Sequence, residues 1–412
     1  MPISEVFPPR PRSVYIAFEA FPRPKGASSH IAAMVTALAR RYAPVWLLCC
    51  GYADMPALQV EGGVIIYRFK VHHPNLLKRA GEFGAFVHRK LAGLDPELLV
   101  FRDPWGGSAG LVALPRTPAV FEVNALPSWE LPATHPAVSA NPGLLAKIED
   151  LERFCLFQAQ AVVTVSELTR ETLAQAGLDP GRIGVAPNSA DEVFFKSGGE
   201  AEPPEVLREG RWFGYVGSLH PWQGVEVLVE ALALLTPLFP ETRLMVIHSG
   251  RGSRLKLLRK KTRKLGLENR VYFQPPLSPP RLAKALSCFE FTAAPLLETF
   301  RNTVQGCCPV KIVESMAAGA PVLASDLRVT RSLITSGRDG LLVRPGRPRP
   351  WAGALRRLLA DPGLRRELSE AARDTAARRF TREAMFGRLD QVFGQVVPPA
   401  RWTDGPDRLI SY

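Results

Sequence analysis

Residues 308 to 326 read CPVKIVESMAAGAPVLASD. Pro309 suits the first helical position, Gly319 suits the cap that ends a helix, and APVLASD resumes an apolar strand. Backbone N–H groups near Cys308, Val310 and Lys311 would then lack intrahelical acceptors, with the positive end of the helix dipole behind them. Such a helix start takes an anion. Glu314 lies one turn in from Lys311, so a ligand whose phosphates meet the helix start would offer its hydroxyls to the carboxylate. Nucleotide sugars have that pattern, a diphosphate beside a ribose.

Other residues sit where loops should follow strands. PRPKGASSH (22–30) carries Gly26 and Ser28, which would either let backbone N–H groups approach an anion or form a helix cap and tight turn. GSLHPWQG (217–224) brackets a second such loop with Gly217 and Gly224 and contains Ser218 and Gln223. His30 and His220 fall in these loops, and neither has an identifiable acid partner in sequence. Arg102 and Asp103, in FRDPWGG, either line an acceptor side or make a local turn and ion pair. Trp129 and Glu130 would contact acceptor sugar or serve packing. The six cysteines include no CxxC pair and no histidine spacing suited to zinc, so neither a disulfide framework nor a metal site is indicated.

The elements that must position these residues alternate between short apolar runs and longer helical patterns. Runs at 13–18, 44–50, 63–69, 98–103, 119–124, 161–166 and 183–188 read as buried strands. The rhythm breaks at KSGGEAEPPEVLREG (196–210), whose Gly, Pro and Glu content reads as a flexible linker. Strands resume at 212–218, 243–250, 270–275, 289–295, 320–326 and 340–345, and helical patterns close the chain before a polar tail. Alternation of this kind makes a parallel sheet covered on both faces. The expected architecture is α/β, two doubly wound Rossmann-like domains facing a central cleft: residues 1–195, a linker at 196–210, and 211–380, with a terminal helix at about 381–412 packing back toward the first domain.

The 412 residues carry 52 Lys+Arg against 39 Asp+Glu, a net charge of +13, which favours anionic partners. The proline-rich start MPISEVFPPRPR does not read as a secretory signal, and no run reaches the length of about 18 apolar residues needed for a span. A cytoplasmic protein is expected, with any membrane attachment peripheral, at the inner face of the plasma membrane. RGSRLKLLRKKTRKLGLENR (251–270) holds nine Lys or Arg and one acidic residue, Glu268. As a helix it is either a solvated face or a surface that rests on anionic lipid. HHPNLLKRAGEFGAFVHRKL (72–91) mixes basic and apolar residues in the same way. Nucleic-acid binding is not expected, since no recognised motif accompanies the charge.

Taken in order, KGASSHIAAMVTALARR, AVVTVSELTRETL, VAPNSAD, GYVGSLHPWQGVEVLVEAL, PVKIVESMAAGAPVLASD and SGRDGLLVRPG resemble the retaining glycosyltransferases of family 4, with the GT-B fold. The resemblance implies transfer from a nucleotide diphosphate sugar, bound mainly by the second domain, to a glycan or lipid-linked acceptor bound mainly by the first. No cofactor and no metal are implied. Glu314 matches the family's second motif glutamate, which binds ribose hydroxyls, and Gly26 matches the glycine loop near the diphosphate. Asn124 lies in the region where many members place an active-site histidine. Gly306 stands where members commonly carry a first glutamate, and Ser218 and Gln223 replace the common Arg and Lys. Lys311 is the natural compensating charge, with Arg301 next. Lys311, Asn124 and His30 are therefore the candidate catalytic residues, and Gly26, Gly217, Ser218, Gln223, Val310 and Glu314 the candidate donor-binding residues. Arg102, Asp103, Trp129 and Glu130 are the acceptor-side candidates. Two alternatives stay open: a sugar-nucleotide epimerase on the same fold, and a GT-B pseudoenzyme that binds nucleotide or glycan without transfer, which the missing side chains make conceivable.

Overall fold

The computed structural model describes residues 9–23, 26–71, 73–249 and 252–397. Contacts divide the chain into two units. One runs through Val165 and includes Arg170–Ala186 and the chain from Phe386; the other comprises Ser166–Thr169 and Pro187–Met385.

In the first unit, eight strands form one sheet: β1 (Ser13–Ala20), β2 (Val45–Gly51), β3 (Leu58–Glu61), β4 (Val64–Lys70), β5 (Leu98–Phe101), β6 (Ala119–Val123), β7 (Ala161–Thr164) and β8 (Ile183–Val185). Their order is β3-β4-β2-β1-β5-β6-β7-β8. All neighbours pair in parallel except β3 and β4. Strand β3 is the one the apolar runs do not announce. It is a half-exposed edge strand with a mixed sequence, LQVE, joined to β4 by Gly62 and Gly63, both at positive φ, as a two-residue hairpin requires. The interior strands are apolar because helices cover both faces: every residue of β2 is buried, and Ile16, Phe101 and Phe121 meet side by side in one core.

The helix Arg382–Val396 supplies the chain's return to this unit: Arg40 lies over the Phe386 ring, and Tyr42 meets Phe393 edge-on. Residues 398–412 of the expected terminal helix lie outside the described residues, as does most of the amino-terminal segment.

The second unit builds a six-stranded parallel sheet from β9 (Arg211–Ser218), β10 (Thr242–Ser249), β11 (Val271–Gln274), β12 (Phe291–Ala294), β13 (Val322–Ser325) and β14 (Leu341–Val343). The order is β11-β10-β9-β12-β13-β14, the doubly wound pattern in which the chain reverses its direction of travel at β9 and β12. Ligands of such sheets bind beyond the carboxyl ends of the strands at that reversal. In the first unit the equivalent reversal lies at β1 and β5. Residues 196–210 contain one short turn of helix, Glu205–Arg208, that buries Leu207.

Candidate functional site

In the second unit, the helix Val310–Ala317 follows β12 and buries Ile312, Val313, Ser315, Met316 and Ala317. Pro309 is the N-cap and Val310 the first helical residue, one position later than the sequence suggests. A proline cap has no side-chain acceptor, so the N–H groups of Val310 and Lys311 have no side-chain cap, while Ile312 N donates to the Pro309 carbonyl at 3.0 Å. Gly319 ends the helix as expected: its N–H bonds to Met316 O and that of Ala320 to Ser315 O, a Schellman pair.

Lys311 and Glu314, three apart, share the helix side opposite this apolar face. The Lys311 ammonium reaches the end of β9. It donates to Gln223 Oε1 at 2.5 Å and to Tyr215 Oη at 3.1 Å, and stands 4.2 Å from the centroid of the Tyr215 ring. Tyr215 in turn donates to the Ser218 carbonyl at 2.6 Å. Gly217 completes this enclosure because any Cβ there would lie 2.7 Å from Lys311 Nζ, and its φ of 141° favours glycine. Burial lowers the Lys311 amine to about 7, against the opposing pull of Cys307 and Glu314. Burial, with Asp191 nearby, raises the Glu314 carboxyl to about 8, and Lys311 opposes that shift. The Glu314 side chain makes no hydrogen bond to another described residue. Arg301 begins the π-helical turn Arg301–Gln305, and its charge acts on Cys307, as does that of Lys311.

Gly306 stands at φ +87°, where a Cβ would come within 2.5 Å of Thr169 Oγ1 and 2.6 Å of Ser166 Oγ. The position expected to carry a glutamate is therefore closed to any side chain in this conformation. His220 stacks flat on Trp222 with centroids 4.2 Å apart.

In the first unit, three of the sequence candidates meet at a residue the sequence reading passed over. Glu122 on β6 is 1% exposed. Its Oε2 accepts from Tyr15 Oη at 2.5 Å; its Oε1 lies 2.7 Å from His30 Nε2 and 3.8 Å from Arg102 Nη1, and also accepts from Asn124 Nδ2. Burial alone would raise this carboxyl, but His30, Arg102 and Tyr15 outweigh it and hold Glu122 at about 2. His30 thus has the acid partner that could not be identified in sequence, because that partner is brought in by the pairing of β1, β5 and β6. The signal was a single acidic residue inside the apolar run AVFEVN.

Arg102 turns to Glu122 rather than to Asp103. Asp103 accepts from Phe18 N at 2.5 Å and from Gly106 N at 3.0 Å, capping the helix Pro104–Ala113, so the local-turn reading describes it. Trp129 packs against the sheet core, and Glu130 lies in the first turn of the helix Pro127–Thr134. That helix is tied by Glu152, which accepts from Ser128 N at 2.6 Å and Ser128 Oγ at 2.5 Å. Gly26 begins the helix Gly26–Tyr42 and is exposed, while Pro24 and Lys25 of its loop lie outside the described residues.

Two Rossmann-like units of this strand order define a GT-B protein. The family model for glycosyl transferases group 1 matches residues 201–375 and that for glycosyltransferase family 4 matches 24–193. The chain belongs to this family of glycosyltransferases.

Among curated relatives, the D-inositol 3-phosphate glycosyltransferase of Jonesia denitrificans is 35% identical over 178 residues, covering 42% of this chain and 40% of the relative. That of Thermomonospora curvata is 27% identical over 338 residues, covering 76% of each. The matched stretch spans about half the length of most of these relatives. Among solved structures, sucrose-phosphate synthase from Thermosynechococcus elongatus superposes with a TM-score of 0.75 at 18% identity, over 93% of this chain and 98% of that one. Anabaena HepE, solved with UDP-glucose, gives 0.68 at 18% identity, over 93% and 100%. These structural likenesses establish the shared fold.

Proposed function

We propose that the chain transfers a sugar, with retention at the anomeric carbon, from a nucleotide diphosphate sugar to a glycan or lipid-linked acceptor in the synthesis of a cell-surface polysaccharide or glycolipid. The observation that carries the reading is the Lys311–Glu314 pair on the uncapped first turn of the helix Val310–Ala317. The N–H groups of Val310 and Lys311, with the Lys311 ammonium, offset the charge that builds on the leaving diphosphate. Glu314, which no protein donor among the described residues occupies, takes the ribose hydroxyls. Gln223 replaces a basic residue of the family pattern but acts on the same phosphate by holding Lys311. The neighbouring structure solved with UDP-glucose supports a donor of that class.

The acceptor is met by the first unit, through Trp129 and Glu130 on the helix Pro127–Thr134 that follows β6 and through Arg102 at the end of β5. No helix among the described residues is long and apolar enough to cross a membrane. A lipid-linked acceptor would therefore be reached from the surface, through the basic helices.

The test is a panel of UDP, GDP, ADP and dTDP and their common sugar conjugates. A nucleotide at about 100 times its dissociation constant stabilises the fold by roughly 2.7 kcal/mol, a clear rise in melting temperature. Release of nucleotide from the matching sugar conjugate then separates a transferase from a chain that only binds. No thermal shift with any nucleotide overturns the reading; a shift without release leaves a binding protein.

A further inference from the structure

Glu122 is a buried charge in a strand whose neighbours Val120, Phe121 and Val123 are all apolar. An apolar residue there would suit the sheet better, since a buried carboxylate costs desolvation that only well-placed donors offset. Four side chains from four segments supply that offset: Tyr15 from β1, His30 from the helix after it, Arg102 from the end of β5, and Asn124 from the end of β6. They converge at the carboxyl ends of β5 and β6, beside the strand reversal between β1 and β5, and doubly wound sheets bind ligand beyond the strand ends at such a reversal.

An ionised carboxylate only accepts. Whatever faces it must turn a donor inward, and for an asparagine that means the amide nitrogen. Asn124 is half-buried, its Nδ2 is committed to Glu122, and its Oδ1 makes no hydrogen bond to another described residue. The amide therefore has a fixed sense, with an acceptor oxygen on the side away from Glu122.

We propose that Glu122 is a positioning residue for sugar transfer: it orients the Asn124 amide through Nδ2, and the His30 ring through Nε2, so that Asn124 Oδ1 accepts from a sugar hydroxyl during the reaction. This rests on the transferase reading above. It adds a residue that never touches the substrate and an acceptor role for Asn124 that depends on it.

The experiment uses the full chain and the sugar nucleotide of the panel that releases nucleotide fastest. Glu122→Gln should lower kcat about tenfold or more. Donor KM and the nucleotide-induced rise in melting temperature should stay as in the unaltered protein, because Lys311 and Glu314 hold the nucleotide. Asn124→Leu should lower kcat by a similar factor, and the double variant should be no slower than the slower single, since one residue acts through the other. Asn124→His keeps a ring N–H for Glu122, so it should be faster than Asn124→Leu when Glu122 is present and no faster when Glu122→Gln accompanies it. Should Glu122→Gln fail to fold, the Asn124→Leu and Asn124→His pair, at a half-buried site, carries the test.

Unchanged kcat in Glu122→Gln, losses that simply multiply in the double variant, or equal rates for the two Asn124 variants would overturn the proposal. So would a chain that binds nucleotide yet turns over no sugar conjugate, since Glu122 then has no transfer to serve. Failure of nucleotide to bind at all is read separately, in the thermal shift, and strikes the transferase reading itself.

Discussion

Lys311 Nζ stands 2.5 Å from Gln223 Oε1, so the amine of one helix is held by the amide of the loop that follows β9. Lysine side chains lose considerable rotamer freedom when fixed, and a pre-fixed ammonium spares a ligand that cost. Gln223→Leu should therefore weaken nucleotide diphosphate binding by about 1.5 kcal/mol, or roughly tenfold, the lower range for a hydrogen bond to a charged group. Nucleoside binding, which lacks the phosphates, should change little. Titration calorimetry of both ligands checks this, and equal losses for the two would place Gln223 on the base or ribose instead.

Glu314→Gln should cost roughly 1.5 to 3 kcal/mol of nucleotide affinity, the range for a hydrogen bond to a charged group, with little loss of melting temperature. If Glu314 merely complemented the helix dipole, the change would instead appear as a stability loss of about 0.3 to 1 kcal/mol. Binding and melting curves on the same sample decide between them. Unchanged affinity would remove the ribose assignment.

Gly306→Glu, which restores the residue common in the family, should impair this chain. The new Cβ would press on Thr169 Oγ1 and Ser166 Oγ at 2.5 and 2.6 Å, and the backbone would keep a positive φ that costs a non-glycine residue roughly 1 to 3 kcal/mol. Denaturant melts should show that loss, and no gain in turnover should accompany it. A variant as stable as the parent would mean that the Arg301–Gln305 turn rearranges freely.

The apolar runs sufficed for both sheets because their interior strands are buried on two faces and so read as unbroken hydrophobic stretches. Edge strand β3 escaped for the same reason: with one side in solvent, LQVE looks like loop. In the site, Lys311 and Glu314 were legible because helix signals surround them locally, from Pro309 to Gly319. Tyr215 and Glu122 were not. Tyr215 reads as a core aromatic until its hydroxyl is placed under Lys311, and Glu122 gains meaning only from Tyr15, His30 and Arg102, which strand pairing assembles from distant parts of the chain.

The basic helix Gly252–Lys264 offers a graded test of membrane contact; Arg251 of the expected segment lies outside the described residues. Lys261 pairs with Glu230, and Arg263 with Glu268, whereas Lys260 and Lys264 make no ion pair among the described residues, and Leu257 is 57% exposed. Sedimentation with vesicles containing acidic lipid should fall when Lys260 and Lys264 become Gln, fall less for Lys261 and Arg263, and weaken with salt, each free cation contributing about 1 kcal/mol near such a surface. Equal binding to neutral and anionic vesicles would remove the idea.

The last prediction concerns pH, because burial brings the amine of Lys311 to about 7 and the carboxyl of Glu314 to about 8. Between these values the dominant form of the pair is neutral amine with protonated carboxyl. Nucleotide diphosphate needs the opposite: an ammonium for the phosphates and a carboxylate for the ribose. Both forms hold one proton, so binding moves it from Glu314 to Lys311, and affinity should be flat from pH 7 to 8. Each single variant uncovers one half. In Glu314→Gln the amine must gain its proton from solvent, and affinity should fall by up to about tenfold per pH unit above the lysine value. In Lys311→Met the carboxyl must lose its proton to solvent, and affinity should rise by up to about tenfold per unit until the glutamate value is passed. Calorimetry in buffers of different ionisation enthalpy reads the same proton directly: none exchanged by the parent chain in that window, uptake by Glu314→Gln, release by Lys311→Met. A parent chain that takes up or releases a full proton there, or variants whose slopes have the reverse signs, would show that Lys311 and Glu314 do not meet the nucleotide as a pair.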